Sequence, residues 1–167
     1  MSVLRNPLDK IMDWDRARAW RESLQSSPPR TGGRVVFTNG VFDLLHPGHV
    51  DVLLGARRCG DALVVGVNSD ASVKRLKGHD RPLRTESERC YVLAALEMVD
   101  ALVVFDQDTP LELISALRPD VLVKGGDYTE ASIVGAPDVR SWGGDVVVIP
   151  LTPGHSTTST IERLRGH

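Results

Sequence analysis

Five short apolar runs limit what this chain can become more than anything else in it. They are Arg34-Val35-Val36-Phe37, Ala62-Leu63-Val64-Val65-Gly66-Val67-Asn68, Ala101-Leu102-Val103-Val104-Phe105, Asp120-Val121-Leu122-Val123 and Asp145-Val146-Val147-Val148-Ile149. A strand with one wet face alternates apolar and polar residues, whereas an unbroken Val/Leu run is covered on both faces, as in a parallel sheet. Helical patterns lie between the runs. A helix over 48–58 follows a strand at 34–38, and a short helix near 70–76 follows the strand at 62–68. A helix over 86–97 precedes the strand at 101–105, a helix over 110–117 precedes the strand at 120–123, and a helical tail over 157–165 follows the last strand. Strands alternating with helices imply right-handed βαβ units. The expected fold is therefore α/β, a doubly wound parallel five-stranded sheet with helices on both faces. Its ligand belongs at the carboxyl ends of the strands, near the topological switch point.

Residues 8–25 are helix-prone, with Ile11, Trp14, Ala17, Ala19 and Trp20 forming an uneven apolar stripe. Ser26-Ser27-Pro28-Pro29-Arg30-Thr31-Gly32-Gly33 is a break. The expected organisation is an N-terminal helical preface, 1–30, packed against one domain, 31–167. At 167 residues such a chain buries roughly two-thirds of its unfolded surface, enough for a core without disulfides or metal. The net charge of −2 gives no basic footprint for nucleic acid, and no apolar run is long enough to span a membrane. The first ten residues lack the apolar stretch of a signal peptide. Cys59 and Cys90 are distant in sequence and match no zinc spacing. Reduced thiols and a cytoplasmic location are expected.

Every polar cluster follows a strand. Thr38-Asn39-Gly40-Val41-Phe42-Asp43-Leu44-Leu45-His46-Pro47-Gly48-His49 follows the first, Asn68-Ser69-Asp70 the second and Lys124-Gly125-Gly126-Asp127-Tyr128 the fourth; Ser156-Thr157-Thr158 comes shortly after the fifth. In the first cluster, two histidines three apart stand at a turn-to-helix junction, where free N–H groups and the helix dipole favour an anion. The glycines at 125 and 126 permit close approach of backbone to a ligand, and Asp127 can accept hydrogen bonds from sugar hydroxyls; a simple turn is the alternative. The hydroxyls at 156–158 suit a helix cap or the β- and γ-phosphates of a nucleotide. Lys74 and Arg75 divide evenly between a solvated helix face and a functional role.

The string Gly40-x-Phe42-Asp43-x-x-His46-x-Gly48-His49, set directly after a strand, resembles the nucleotidyltransferase superfamily marked by His-x-Gly-His. The resemblance implies a Rossmann-like nucleotidyltransferase fold in which His46 and His49 bind the triphosphate and stabilise charge at the α-phosphorus. It also implies that Lys77 reaches the α-phosphate and that Arg89, on the following helix, points into the site. The strings Val67–Gly78, Arg81-Pro82, Leu93–Asp100, Asp108-Thr109-Pro110, Val123–Tyr128 and Gly154-x-Ser156-Thr157-Thr158 narrow the similarity to the heptose 1-phosphate adenylyltransferases, over about residues 33–165. That family often has Asn-Pro-x-Glu after Arg81-Pro82-x, where this chain has Arg84-Thr85-Glu86-Ser87-Glu88, so Arg84 is an added cation.

The resemblance implies transfer of AMP from ATP to D-glycero-D-manno-heptose 1-phosphate, giving ADP-heptose and pyrophosphate for bacterial surface glycans. A glycerol-phosphate-type cytidylyltransferase is the nearer alternative and a non-catalytic nucleotide-binding module the more distant one. The expected catalytic residues are His46, His49 and Lys77. Thr38, Asn39, Gly40, Phe42, Gly48, Arg89, Gly125, Gly126, Asp127, Ser156, Thr157 and Thr158 are expected to bind nucleotide, and Asp43, Asn68 and Lys124 to bind the second substrate. No metal is expected to be held by the protein alone, and Mg²⁺ is expected to bridge the phosphates. The chain is expected to act as a homo-oligomer, most simply a dimer.

Overall fold

A computed structural model describes residues 5–26 and 33–150. The hydroxyl cluster 156–158 and the helical tail 157–165 lie outside these residues. The elements run from a 3₁₀ turn at Pro7–Lys10 through β1 (Ile11–Met12), α1 (Trp14–Ser26), β2 (Val35–Gly40), α2 (Pro47–Arg57), β3 (Ala62–Asn68), α3 (Asp70–Lys77) and α4 (Glu86–Ala94) to β4 (Ala101–Phe105). Then come α5 (Leu111–Leu117), β5 (Val121–Gly125), a second 3₁₀ turn (Glu130–Ser132), α6 (Ala136–Ser141) and β6 (Asp145–Ile149). The six strands lie in the order β1-β4-β3-β2-β5-β6, every pair parallel.

The sheet thus has six strands, not five. The extra one comes from residues 8–25, which are not a single helix. Ile11 and Met12 extend along Leu102 and Val103 of β4, and Trp14 donates its indole N–H to the Val104 carbonyl at 3.0 Å. Two residues carry too little periodicity to announce a strand; the open edge of β4 supplies the pairing. The α4 helix is shorter than expected, ending at Ala94, and α6 follows a glycine turn that carried no strong apolar pattern.

Strand alternation divides the core in two. Val35, Phe37, Val64, Ala101, Val103 and Leu122 pack with α1, α5 and α6 on one face. Val36, Leu63, Val65, Leu102, Val121 and Val123 pack with α2 and α4 on the other. β3 is buried along its whole length, as the unbroken run at 62–68 requires. Between α2 and β3, Gly60 leaves no room for a side chain: a Cβ there would lie 2.6 Å from Val36 Cγ2 and 2.7 Å from the Arg34 carbonyl oxygen. Gly60→Ala should therefore destabilise the fold by about 1–3 kcal/mol through overpacking, read as a lower urea midpoint. An unchanged midpoint would show that the α2–β3 turn has slack.

Candidate active site

The switch point lies between β2 and β5. From β2 the chain pairs with β3 in one direction and with β5 in the other. The β2–β3 ladder runs the length of β2, to Gly40↔Val67. The β2–β5 ladder pairs only Val36 with Val121 and Phe37 with Leu122, although β5 remains paired with β6 to Gly125↔Ile149. The two central strands therefore part at their carboxyl ends. Thr38 is buried in β2, one residue past the last β2–β5 pair. Asn39 and Gly40 reach the opening from β2, and Lys124 and Gly125 from β5.

The histidines stand above it. His46 is the N-cap residue of α2 and keeps an extended backbone, with Pro47 as the first helical residue. Proline suits that position because its missing N–H would have no intrahelical acceptor. The His49 N–H returns to the His46 carbonyl at 2.9 Å, and the two imidazoles stack with ring centroids 3.8 Å apart. Phe42, held at φ 51°, sets its ring 5.3 Å from that of His49. Burial, reinforced by the neighbouring His46, pushes the His49 pKa down to about 4, against a smaller upward pull from the Leu44 backbone. The Gly48 turn is buried. Gly125 lets α2 approach β5, since a Cβ there would meet Val52 Cγ2 at 2.3 Å.

Asp43 does not face an open substrate pocket. Its carboxylate is buried and accepts from Arg81 Nε at 2.6 Å and from the backbone N–H groups of Leu83 and Arg84 at 2.8 and 3.0 Å. Burial would raise its pKa, but those two N–H groups and the Arg81 guanidinium together hold it below the usual carboxylate range. Asp43 therefore fastens the segment leaving α3 to the histidine loop. Arg81 is the partner that sequence reasoning passed over; an acid buried inside a glycine-rich loop is the signal that a cation must be found for it. Arg84 contributes its backbone, while its side chain turns outward to Glu88.

Arg89 is also corrected. Its side chain is 0% exposed, and its donors go to the carbonyls of Arg84, Val41 and Asn68 and to the Asp70 carboxylate, at 2.6–3.0 Å. It ties together the segments that leave β2 and β3, and no N–H fork is left for a phosphate. The i−3 neighbour Glu86 instead accepts from the Asp70 N–H. Asn68 is buried and donates to Ser72 Oγ at 3.0 Å, so its amide belongs to the start of α3 rather than to substrate. Lys77 ends α3, exposed, just before Gly78, without direct contact to the histidines in the described pairs. Arg75 is spent on Asp106 and Asp108. Asp127 is exposed beside buried Gly126, whose N–H is tied to the Ile149 carbonyl. Lys124 donates its ammonium to Asn39 Oδ1, and burial pushes its pKa down to about 8.

A larger apolar groove, about 800 Å³, lies alongside. Leu8, Ile11, Leu45, Tyr91 and Val92 line it with Phe42 and the two tethers Asp43 and Arg89, but neither histidine does. Its size reflects an open apolar face on α4 and the N-terminal turn; the polar convergence is at the β2–β5 opening.

Residues 37–163 match the cytidylyltransferase-like family model. The chain belongs to the cytidylyltransferase-like family. It is 56% identical over 98% of its length to the bifunctional protein HldE of Acidiphilium cryptum, and 57% identical over 92% to that of Syntrophotalea carbinolica. It spans about a third of the length of those relatives, 32% of each. A crystal structure of a lipopolysaccharide core biosynthesis protein from Thermoplasma volcanium is similar with a TM-score of 0.59 and 28% identity, covering 72% of this chain and 98% of that one. A pantoate–beta-alanine ligase from Francisella tularensis, 14% identical with a TM-score of 0.58 over 86% of this chain and 68% of that one, shares the fold.

His49 sits below its ordinary value of 6.5, so folding disfavours its proton. Its contribution to stability is complete above about pH 6.5 and is lost as the pH falls toward 4. A bound polyanion reverses the preference by stabilising the imidazolium. In a histidine NMR titration, inorganic tripolyphosphate should move the His49 midpoint upward from about 4. By linkage, the anion should bind more tightly as the pH falls through the raised bound-state midpoint toward the free-state value of about 4. An unmoved midpoint would remove His49 from the anion site.

Proposed function

We propose that the chain is a nucleotidyltransferase that moves AMP from ATP to D-glycero-D-manno-heptose 1-phosphate, releasing pyrophosphate and ADP-heptose. The observation that carries this reading is the stacked His46–His49 pair at the start of α2, directly above the parting of β2 and β5. Two imidazoles beside the free N–H groups of a helix N-terminus support an anion-binding role. The choice of acceptor rests on the strings Val67–Gly78 and Val123–Tyr128, which resemble the heptose 1-phosphate adenylyltransferases, and on the identity to the HldE proteins. The Thermoplasma volcanium protein carries a lipopolysaccharide name of its own, which accords with a surface-glycan product. Two free thiols, Cys90 buried with its pKa pushed up to about 11 by desolvation, suit a reducing cytoplasm. None of the helices among the described residues is long and apolar enough to cross a membrane.

The chemistry asks little covalent work of the protein. An ionised oxygen of the sugar phosphate attacks the α-phosphorus in line; the bond to the bridging oxygen breaks, and its electron pair leaves with pyrophosphate. The enzyme's task is positioning and charge stabilisation. His46, His49 and the α2 N-terminus hold the triphosphate. Asn39, Gly40 and Phe42 shape the turn beneath it. Lys77 swings toward the α-phosphate from the segment that Asp43 fastens. Gly125, Gly126 and Asp127 line the nucleoside side, and Ser156, Thr157 and Thr158 contact the leaving pyrophosphate. No group of three or more His, Cys, Asp or Glu that could cage a metal gathers among the described residues; Mg²⁺ enters as the MgATP substrate and offsets phosphate charge.

His46→Ala and His49→Ala should each lower turnover by about 10²–10³, with unfolding transitions retained, in a pyrophosphate-release assay with ATP and heptose 1-phosphate. Wild-type-like rates for both at saturating substrate would refute the phosphate site, and faster release with CTP and glycerol 3-phosphate would favour the cytidylyltransferase reading.

Lys77 and Lys74 offer an internal comparison, because both are exposed on the one helix. An interaction made mainly in the transition state lowers kcat and kcat/KM together. Lys77→Ala should lower kcat sharply, whereas Lys74→Ala should leave it near wild type. Equal effects, or a change in KM alone, would reduce this segment to an electrostatic funnel.

A further inference from the structure

The opening between β2 and β5 has two walls, and the alternation of side chains assigns them. Phe37 and Leu122 face the layer of α1, α5 and α6. Asn39 and Lys124, each two residues further on, share that face. Gly40 and Gly125 face the other way, Gly125 against Val52 of α2. The histidine helix therefore approaches from one face of the sheet, and the Asn39–Lys124 pair stands on the other. The pair bridges strands whose backbone ladder has already ended at Phe37↔Leu122.

Lys124 forms no ion pair among the described residues; its recorded partner is the neutral Asn39 amide. An ammonium has three donors, so two remain. A half-buried cation answered only by an amide is disfavoured, and desolvation alone pulls its pKa to about 8. An anion brought to that point recovers what the protein leaves unmatched.

We propose that Lys124, positioned by Asn39, anchors the acceptor phosphate on the wall of the crevice opposite the histidines. The proposal rests on the nucleotidyl-transfer reading. In-line displacement requires the attacking oxygen and the departing pyrophosphate to lie on opposite sides of the α-phosphorus. The two phosphate groups must then be gripped from opposite sides, and the fold offers two grips so disposed, the α2 N-terminus with its imidazoles and the Lys124 ammonium. Lys124 transfers no proton: the acceptor oxygen is already ionised, and the new bond to the α-phosphorus forms as the bond to the bridging oxygen breaks. Asn39 is a positioning residue. Its amide oxygen orients the ammonium without neutralising it, which a carboxylate would do.

The test separates acceptor from nucleotide. Lys124→Met, Lys124→Arg and Asn39→Asp are compared with wild type by calorimetry, first with a non-hydrolysable ATP analogue, then with heptose 1-phosphate added to the analogue-saturated protein. Lys124→Met should weaken acceptor binding about 10–100-fold, the loss of one charge-assisted contact, while nucleotide affinity changes by less than about threefold; Asn39→Asp, which pairs the ammonium with a carboxylate, should weaken acceptor binding as far. Lys124→Arg should recover most of the acceptor affinity, and Asn39→Asp, close in shape, guards against loss of fold. Unchanged acceptor affinity, or equal weakening of nucleotide and acceptor, would overturn the anchor. Turnover is read separately: wild-type protein that binds both ligands with the expected differential but releases no pyrophosphate would sink the transferase reading and leave the anchor standing.

Discussion

Parallel pairing at β2 is the constraint on which the rest of the structure depends. Because each strand runs the same way, each connecting segment must return across a face of the sheet, and the carboxyl ends share one edge. β2 is the strand from which the sheet extends in both directions, through β3 and β4 to β1 at one edge and through β5 to β6 at the other. The helix after β2 covers one face and the helix after β5 the other. Among the described residues no backbone element fills the space between them, so the opening follows from topology before any particular side chain is considered.

Buried charge then makes the loops around that opening rigid. The Asp43 carboxylate accepts three hydrogen bonds from the 81–84 segment, and the Arg89 guanidinium serves three carbonyls and Asp70. An ion removed from water must be matched by near-complete hydrogen bonding, or its desolvation outweighs its attraction. Both groups meet that condition, so each has one satisfactory arrangement and each holds two or three segments at once. The turn from β2 into α2, the end of β3 and the segment after α3 cannot drift independently.

The ligand-facing groups follow the opposite rule. His49 and Lys124 are both disfavoured in their charged forms by burial, and neither has a carboxylate in hydrogen-bond contact among the described pairs. On the proposed reading a polyphosphate gains from this arrangement: the donors are fixed in place, and an arriving anion favours the charged form that burial opposes. The satisfied ions, Asp43 and Arg89, hold the loops in place, whereas Lys124 keeps donors that no carboxylate among the described residues answers.

Much of this was legible in the residues. The unbroken runs at 34–38, 62–68, 101–105, 120–123 and 145–149 determined a parallel sheet, because nothing else hides both faces of so many short strands. The Gly40–His49 string determined a strand–turn–helix junction with both histidines on it, because its glycines, proline and histidines have local work that needs no distant partner. What sequence could not determine were features made by pairing at long range. The two residues of β1 are a strand only because β4 leaves an edge beside them. Arg89 looked like a phosphate fork until Val41, Asn68 and Asp70 were found around it. Asn39 and Lys124, 85 residues apart, meet only because two strands at the switch point part company. Local periodicity and motif spacing are written into neighbouring residues, but which donors are spent and which remain free depends on atoms that only the tertiary structure brings together.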